Sequence, residues 1–283
     1  MNYQWYPGHM TKARRMMQEN VQLIDLVIEL VDARIPMSSR NPDIDGLAGK
    51  KSRIVLLNKA DLADPAWNSR WADWFRQKGV YVLEVNSKSG AGVKAINGLV
   101  QEACREKIER DRKRGIVNRP VRAMVAGIPN VGKSTFINSF AGKACTKTGN
   151  RPGVTKGKQW IRLNKGLELL DTPGILWPKF EDQQVGMRLA FIGSMNDEII
   201  LLEELACDLL VVLRELYPDA VRERYGIQWK ETEAEVLEEI ARCRGCFLKG
   251  EALDVRKAAG ILTEDFRSGR LGRMTLERPG AEA

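Results

Sequence analysis

The sequence predicts an α/β fold: a mostly parallel sheet with helices on both faces, followed by a small all-helical domain. Three observations predict it. Apolar runs rich in Val, Ile and Leu alternate with helical segments through the first part of the chain, the pattern of a parallel sheet with crossover helices. One of those runs leads into a glycine-containing loop that opens a helix. Beyond residue 178 the strand pattern stops and helical spacing takes over.

Taken in order, Met10 to Asn20 has the spacing of a basic amphipathic helix. LVIELVDAR (26–34) is a strand-like apolar run that ends in polar residues, and RIVLL (53–57) is a second, followed at once by Asn58-Lys59-Ala60-Asp61. PAWNSRWADWFRQKG reads as a helix with Pro65 near its start and Gly79 at its end. VYVLEV (80–85) is a third strand; NSKSG and one long helix through Arg114 follow. RGIVNRP (114–120) reads as a linker into the strand VRAMVAG, which feeds Gly127–Ser134 and a short helix. KQWIRL and LELLD are two further strands, the second reaching Asp171-Thr172-Pro173-Gly174. LLEELACDLLVVLREL and EAEVLEEIARCR carry helical spacing. The expected domains are therefore 1–178, α/β, and 179–283, all-helical.

Composition narrows the class. Hydrophobic residues make up 43% and charged residues 29%, which fits a globular chain rather than a disordered or membrane-embedded one. No apolar stretch approaches the roughly 18 residues of a membrane span, and the first residues lack the basic-then-apolar order of a signal peptide. A cytoplasmic location without membrane contact is expected. Five scattered cysteines, an odd number, argue against a disulfide framework. Cys243 and Cys246 have half of a zinc-site spacing, but no second pair or nearby histidine completes it. The net charge of +8 permits a polyanionic partner. From Lys143 to Lys165 there are seven Lys/Arg and no acid, either a solvated basic face or a surface for a nucleic-acid backbone.

The motifs carry the chemistry. Gly127-Ile-Pro-Asn-Val-Gly132-Lys133-Ser134 fits the phosphate-binding loop, whose consecutive N–H groups and following helix N-terminus cradle phosphates. Asn130, Val131, Gly132 and Thr135 belong to that cradle. Lys133 is expected on the β- and γ-phosphates, with a catalytic share in stabilising charge, and Ser134 on Mg²⁺. Asp171 ends a strand beside the loop and can hold Mg²⁺ through water, while Gly174 can offer its N–H to a γ-phosphate. Thr155, in RPGVTKG between them, is the candidate second Mg²⁺ ligand and contributes to catalysis. Asn58-Lys59-Ala60-Asp61 sits at a strand end, where α/β sheets bind ligands. The Asp61 carboxylate can accept both N1–H and N2–H of guanine, a donor pair adenine lacks, so the wrong base leaves a charge unpaired. Asn58 can reach N7 and tie loops together, and the Lys59 stem can cover the ring. Asn86-Ser87-Lys88, after the next strand, can supply an N–H for O6. These residues predict binding of GTP and GDP.

Their order is unusual. The base-recognition residues (58–61 and 86–88) precede the phosphate loop, Thr155 and Asp171–Gly174. A sheet tolerates that rearrangement if the old termini are joined and new ones opened; residues 105–120 are the expected join. The segment after Gly174, which responds to the γ-phosphate, then leads straight into the helical domain.

With WYPGHMTKA, VDARIP, SSRNP, NKAD, GIPNVGKST, RPGVTKG, DTPGILWPK and DFRSGRLGRMTLE in place along nearly the whole chain, the sequence resembles the circularly permuted ribosome-assembly GTPases of the YlqF type. The resemblance implies GTP hydrolysis stimulated by the large ribosomal subunit, binding of the subunit precursor and its rRNA in the GTP state, and release on hydrolysis at a late assembly step. It implies that the helical domain contacts RNA. Where many GTPases carry a water-positioning glutamine this chain has Ile175, and the resemblance points to His9 as the catalytic residue; a structural turn histidine is the other reading. Asn130 is similar to the asparagine of potassium-dependent GTPases, so K⁺ joins Mg²⁺ as a candidate cofactor. Lys156 and Lys158, with Arg256, Lys257, Arg267, Arg270 and Arg273 nearer the C-terminus, are the RNA-contact candidates, and a monomer is expected. Two other classes share parts of this pattern. A small-molecule kinase would use the loop but leaves NKAD unexplained. An RNA-binding protein independent of nucleotide state, with a regulatory GTP site, would keep the basic surface.

Overall fold

The computed structural model describes residues 18–49, 51–145, 159–171, 182–195 and 201–280. His9, Thr155, Lys156, Lys158, Gly174 and most of the expected Met10–Asn20 helix lie outside the described residues; residues 18–21 are helical.

Among the described residues six strands form one sheet: β1 (Leu26–Asp32), β2 (Ser52–Asn58), β3 (Tyr81–Val85), β4 (Val121–Ala126), β5 (Gln159–Asn164) and β6 (Leu167–Asp171), in the order β3-β2-β1-β4-β6-β5. All pairings are parallel except β5 with β6, a hairpin at one edge. Every residue of β1 is buried, as expected for a central parallel strand covered on both faces. Glu29 in its middle is tolerated because Arg53 and Arg40 reach its carboxylate at 2.8 and 3.3 Å.

Register decides where function can sit. Asp32 pairs with Asn58, Asn58 with Val85, and Val125 with Asp171. The C-terminal ends of the parallel strands therefore share one edge, where ligands bind in open α/β sheets.

Helices α1 (Asp43–Ala48), α2 (Pro65–Gln77), α3 (Ile96–Ala103), α4 (Arg105–Lys113) and α5 (Lys133–Ala141) connect the strands. In α2 the Asp64 side chain accepts from Ala66 N–H, Pro65 occupies the first turn, and Asn68, Trp71, Ala72 and Phe75 make the buried stripe. The helix expected to run unbroken to Arg114 is instead two, α3 and α4. They part at Cys104, where Ser52 Oγ donates to the Ala103 carbonyl at 2.6 Å and takes it from the helical ladder.

After β6 come α6 (Gln183–Phe191), α7 (Leu202–Leu216), α8 (Ala220–Tyr225), α9 (Glu233–Cys243) and α10 (Val255–Arg267). The spacing in the sequence marked α7 and α9; α6, α8 and α10 were not singled out. Leu205, Leu209, Leu210 and Leu213 of α7 meet Ala258, Ala259 and Leu262 of α10 in the core, and a reciprocal Thr232–Glu235 capping box starts α9. One hydrophobic core is continuous from the sheet through α6 into these helices. The expected boundary at 178 falls among residues outside the description. No helix among the described residues is long and apolar enough to cross a membrane.

Candidate functional site

The phosphate loop leaves β4 at the ligand edge and turns into α5. Gly132 is in the left-handed region (φ 101°), and a Cβ there would stand 2.6 Å from Asn58 Nδ2, so glycine alone fits both the backbone and the close approach. Lys133 is buried, its Nζ donating to the Gly127 and Ile128 carbonyls at 2.9 and 2.8 Å. Burial pushes its ammonium down to about 8, against the opposing pull of Asp171. The hydrogen-bond partners of Lys133 are neutral loop carbonyls, so a phosphate could compete for the ammonium. Ser134 and Thr135 are half-buried in the first turn of α5, and Asp171 is buried at the end of β6. A hydroxyl and a carboxylate are hard oxygen donors of the kind Mg²⁺ takes.

The base side is built onto the same loop. Asn58 donates through Nδ2 to the Val131 carbonyl at 2.7 Å, while its Oδ1 accepts from Ser87 Oγ and N–H at 2.7 and 3.1 Å. One buried side chain thus ties together three loops that sequence places far apart. Asn86 Oδ1 accepts from Lys88 and Ser89 N–H, so it organises its turn, and the Ser87 and Lys88 amides both have acceptors within the protein. Lys59, at φ 58°, sends Nζ between the Asp32 carboxylate (3.0 Å) and the Asn130 carbonyl (3.1 Å). Ala60 donates its N–H to the Val85 carbonyl at 3.2 Å, and Asp61 is exposed just beyond it.

Reading the sequence missed Asp32 and Arg34. Arg34, itself buried, holds Asp32 with two side-chain bonds of 2.8 Å and reaches the carbonyls of Phe266 and Arg267 at the end of α10. Burial alone would raise the Asp32 carboxyl; Arg34 and Lys59 overcome it and hold the group well below the usual carboxylate range. The available signal was a pair of opposite charges, Asp32 and Arg34, at the end of a mostly apolar strand.

The phosphate loop also bonds to the helical region. Asn130 Nδ2 donates to the Gly193 carbonyl at 2.7 Å, and Ser194 Oγ to the Pro129 carbonyl at 3.0 Å. The first bond uses the donor end of the Asn130 amide, and a cation such as K⁺ could be ligated only by its Oδ1.

Two of the expected RNA contacts also bond within the protein. Arg267 donates to the Phe191 and Ala190 carbonyls at 3.0 and 2.8 Å, capping the end of α6. Arg273 donates to the Ala63 and Ala60 carbonyls, on the NKAD loop. Arg267 is half-buried there, whereas Arg273 makes its two bonds while remaining exposed. Arg256, Lys257 and Arg270 are exposed and line one cavity of about 620 Å³ beside Leu202 and Ile261. Arg270 is also paired there with Asp265.

Comparison with known proteins agrees with this geometry. Residues 122–242 match the family described as 50S ribosome-binding GTPase; the match starts in β4, so it takes in the phosphate loop and leaves Asn58–Asp61 upstream. Ribosome biogenesis GTPase A of Bacillus cereus is 47% identical over 99% of this chain and 95% of its own. The protein of the same name from Priestia megaterium is 46% identical over 99% and 98%. The crystal structure of GNP-bound YlqF from T. maritima superposes with a TM-score of 0.68 at 28% identity, over 95% of this chain and 99% of that one. A mostly parallel sheet with the base loop before the phosphate loop, and relatives matched end to end, make this chain a GTP-binding GTPase with a circularly permuted P-loop fold, a member of the ribosome biogenesis GTPase A family.

Proposed function

We propose that this GTPase acts in ribosome biogenesis: in its GTP state it binds the immature large subunit, and hydrolysis is coupled to late assembly and to its own release. The observation that carries the coupling is the pair of bonds that Asn130 makes to the Gly193 carbonyl and that Ser194 of the helical region makes to the Pro129 carbonyl of the phosphate loop. A loop that reshapes around phosphate pulls on that region directly, and the same region presents Arg256, Lys257 and Arg270 to a polyanion. The names of the relatives, ribosome biogenesis GTPase A and 50S ribosome-binding GTPase, support the partner.

In this reading Asp61 accepts the guanine N1–H and N2–H while Asn58 and Lys59 hold the base loop against the phosphate loop. Lys133 exchanges its carbonyl partners for β- and γ-phosphate oxygens. Ser134, Asp171 and Thr155 hold Mg²⁺, which when bound neutralises charge on those oxygens. The Gly174 N–H meets the γ-phosphate, and His9, as a neutral imidazole, orients the attacking water. Lys156 and Lys158 add rRNA contacts, K⁺ at Asn130 adds positive charge at the phosphates, and the protein works as a cytoplasmic monomer.

The test is GTP and ATP turnover with and without purified large-subunit precursors, with co-sedimentation in GDP and in a non-hydrolysable GTP analogue. Guanine-selective turnover stimulated by the subunit, with binding favoured by the GTP analogue, is the expected result. Equal binding in every nucleotide state would defeat the coupling.

A further inference from the structure

We infer that Arg273 is a positioning residue for guanine specificity, through which the C-terminal segment 271–278 fixes the backbone on both sides of Asp61. The inference rests on Asp61 being the guanine acceptor.

Asp61 lies where the chain leaves the sheet. Up to Ala60 the backbone is set by β2, by Asn58 and by the bond from Ala60 N–H to Val85. Beyond it no strand partner remains, and the C-terminal segment takes over. Arg273 Nη2 donates to the Ala60 carbonyl at 3.0 Å and Nε to the Ala63 carbonyl at 2.9 Å. The Met274 N–H donates to the Leu62 carbonyl at 3.0 Å, and the Asp64 N–H to Thr275 Oγ1 at 3.1 Å. Residues 60, 62, 63 and 64 are each held by this one segment, while Asp61 between them faces outward.

The segment is itself anchored firmly enough to serve as a template. Tyr217 Oη donates to the Thr275 carbonyl at 3.1 Å and accepts from Thr275 N–H at 2.8 Å. Leu276 N–H donates to the Arg34 carbonyl at 2.8 Å. The buried Glu277 carboxylate accepts from the N–H groups of Met37 and Ser38 at 2.7 and 3.0 Å, and Trp71 Nε1 donates to the Glu277 carbonyl. A carboxylate that must meet two guanine donors at once needs placement within a fraction of an ångström. Here that placement comes from residues more than two hundred positions away in the chain.

The experiment compares affinities of the full chain for GDP and inosine diphosphate, which lacks the N2 amine and loses one of the two bonds to Asp61. The wild type is expected to prefer GDP by roughly ten- to a hundredfold, the worth of a hydrogen bond to a charged group. Asp61→Ala should abolish that preference. Arg273→Ala should cut it about three- to tenfold, Arg273→Lys less, because the lysine keeps one donor site. Thr275→Val, which removes the acceptor for Asp64 N–H, should also narrow it, and serves with Arg273→Lys if Arg273→Ala does not fold. Parallel loss of both affinities, or an unchanged ratio in the folded variants, overturns the role of Arg273. An unchanged ratio in Asp61→Ala overturns the guanine reading instead.

Discussion

Raising the pH from 7 to 9 should weaken GDP binding by about tenfold, and Lys133 is the reason. Its ammonium is buried, bonded to the Gly127 and Ile128 carbonyls, and lowered to about 8 because burial outweighs the attraction of Asp171. In the nucleotide-free protein it is roughly 90% charged at pH 7 and roughly 10% at pH 9. A bound diphosphate restores the charged form, so the complex holds more protons than the free protein above pH 7. Affinity must then fall as pH rises, by close to 1.4 kcal/mol across those two units. The assay is calorimetric titration at pH 7, 8 and 9 in two buffers of different ionisation enthalpy. At pH 8, uptake of about half a proton per GDP is expected. Lys133→Arg isolates this titration, since a guanidinium keeps its charge throughout; its weaker binding should decline less over the same range. Wild-type affinity that stays level to pH 9, with no proton uptake, would refute the argument.

Other perturbations test other parts of the molecule. Arg34→Met removes the two-bond partner of a buried carboxylate and should cost about 3–5 kcal/mol in urea unfolding; a loss under about 1 kcal/mol would show that Lys59 suffices. His9→Ala should keep nucleotide affinity and lose subunit-stimulated turnover, and unchanged stimulation would assign His9 to structure. Replacing Lys156 and Lys158 together by alanine should weaken subunit binding and flatten its dependence on salt. An unaltered slope removes both lysines from the interface.

Nucleotide chemistry was legible in the sequence because it resides in contiguous runs. A phosphate loop needs consecutive amides between a strand and a helix, and NKAD needs one strand end; both are local demands that spacing records. The rearranged order was also plain, since order is a property of sequence. Helices α7 and α9 were legible from their apolar stripes, whereas the division of α3 from α4 was not. It depends on Ser52, a residue of a neighbouring strand. Arg267 and Arg273 show the same limit from the other side. As members of a basic C-terminal run they read as RNA contacts, and their bonds to the carbonyls of α6 and of the NKAD loop left no mark in that run.

By itself, then, the sequence determined the fold class, the base and phosphate motifs and their exchanged order, and with them the family. Only the tertiary structure decided what holds those motifs in register: Asp32 and Arg34 behind Lys59, Asn58 between three loops, Asn130 on Gly193, and residues 271–278 around Asp61. The physical reason is the reach of each interaction. Helix and loop propensities act over a few residues and leave a periodic trace, whereas a buried ion pair or a carbonyl cap joins any two residues that folding brings within about 3 Å, and no spacing encodes it.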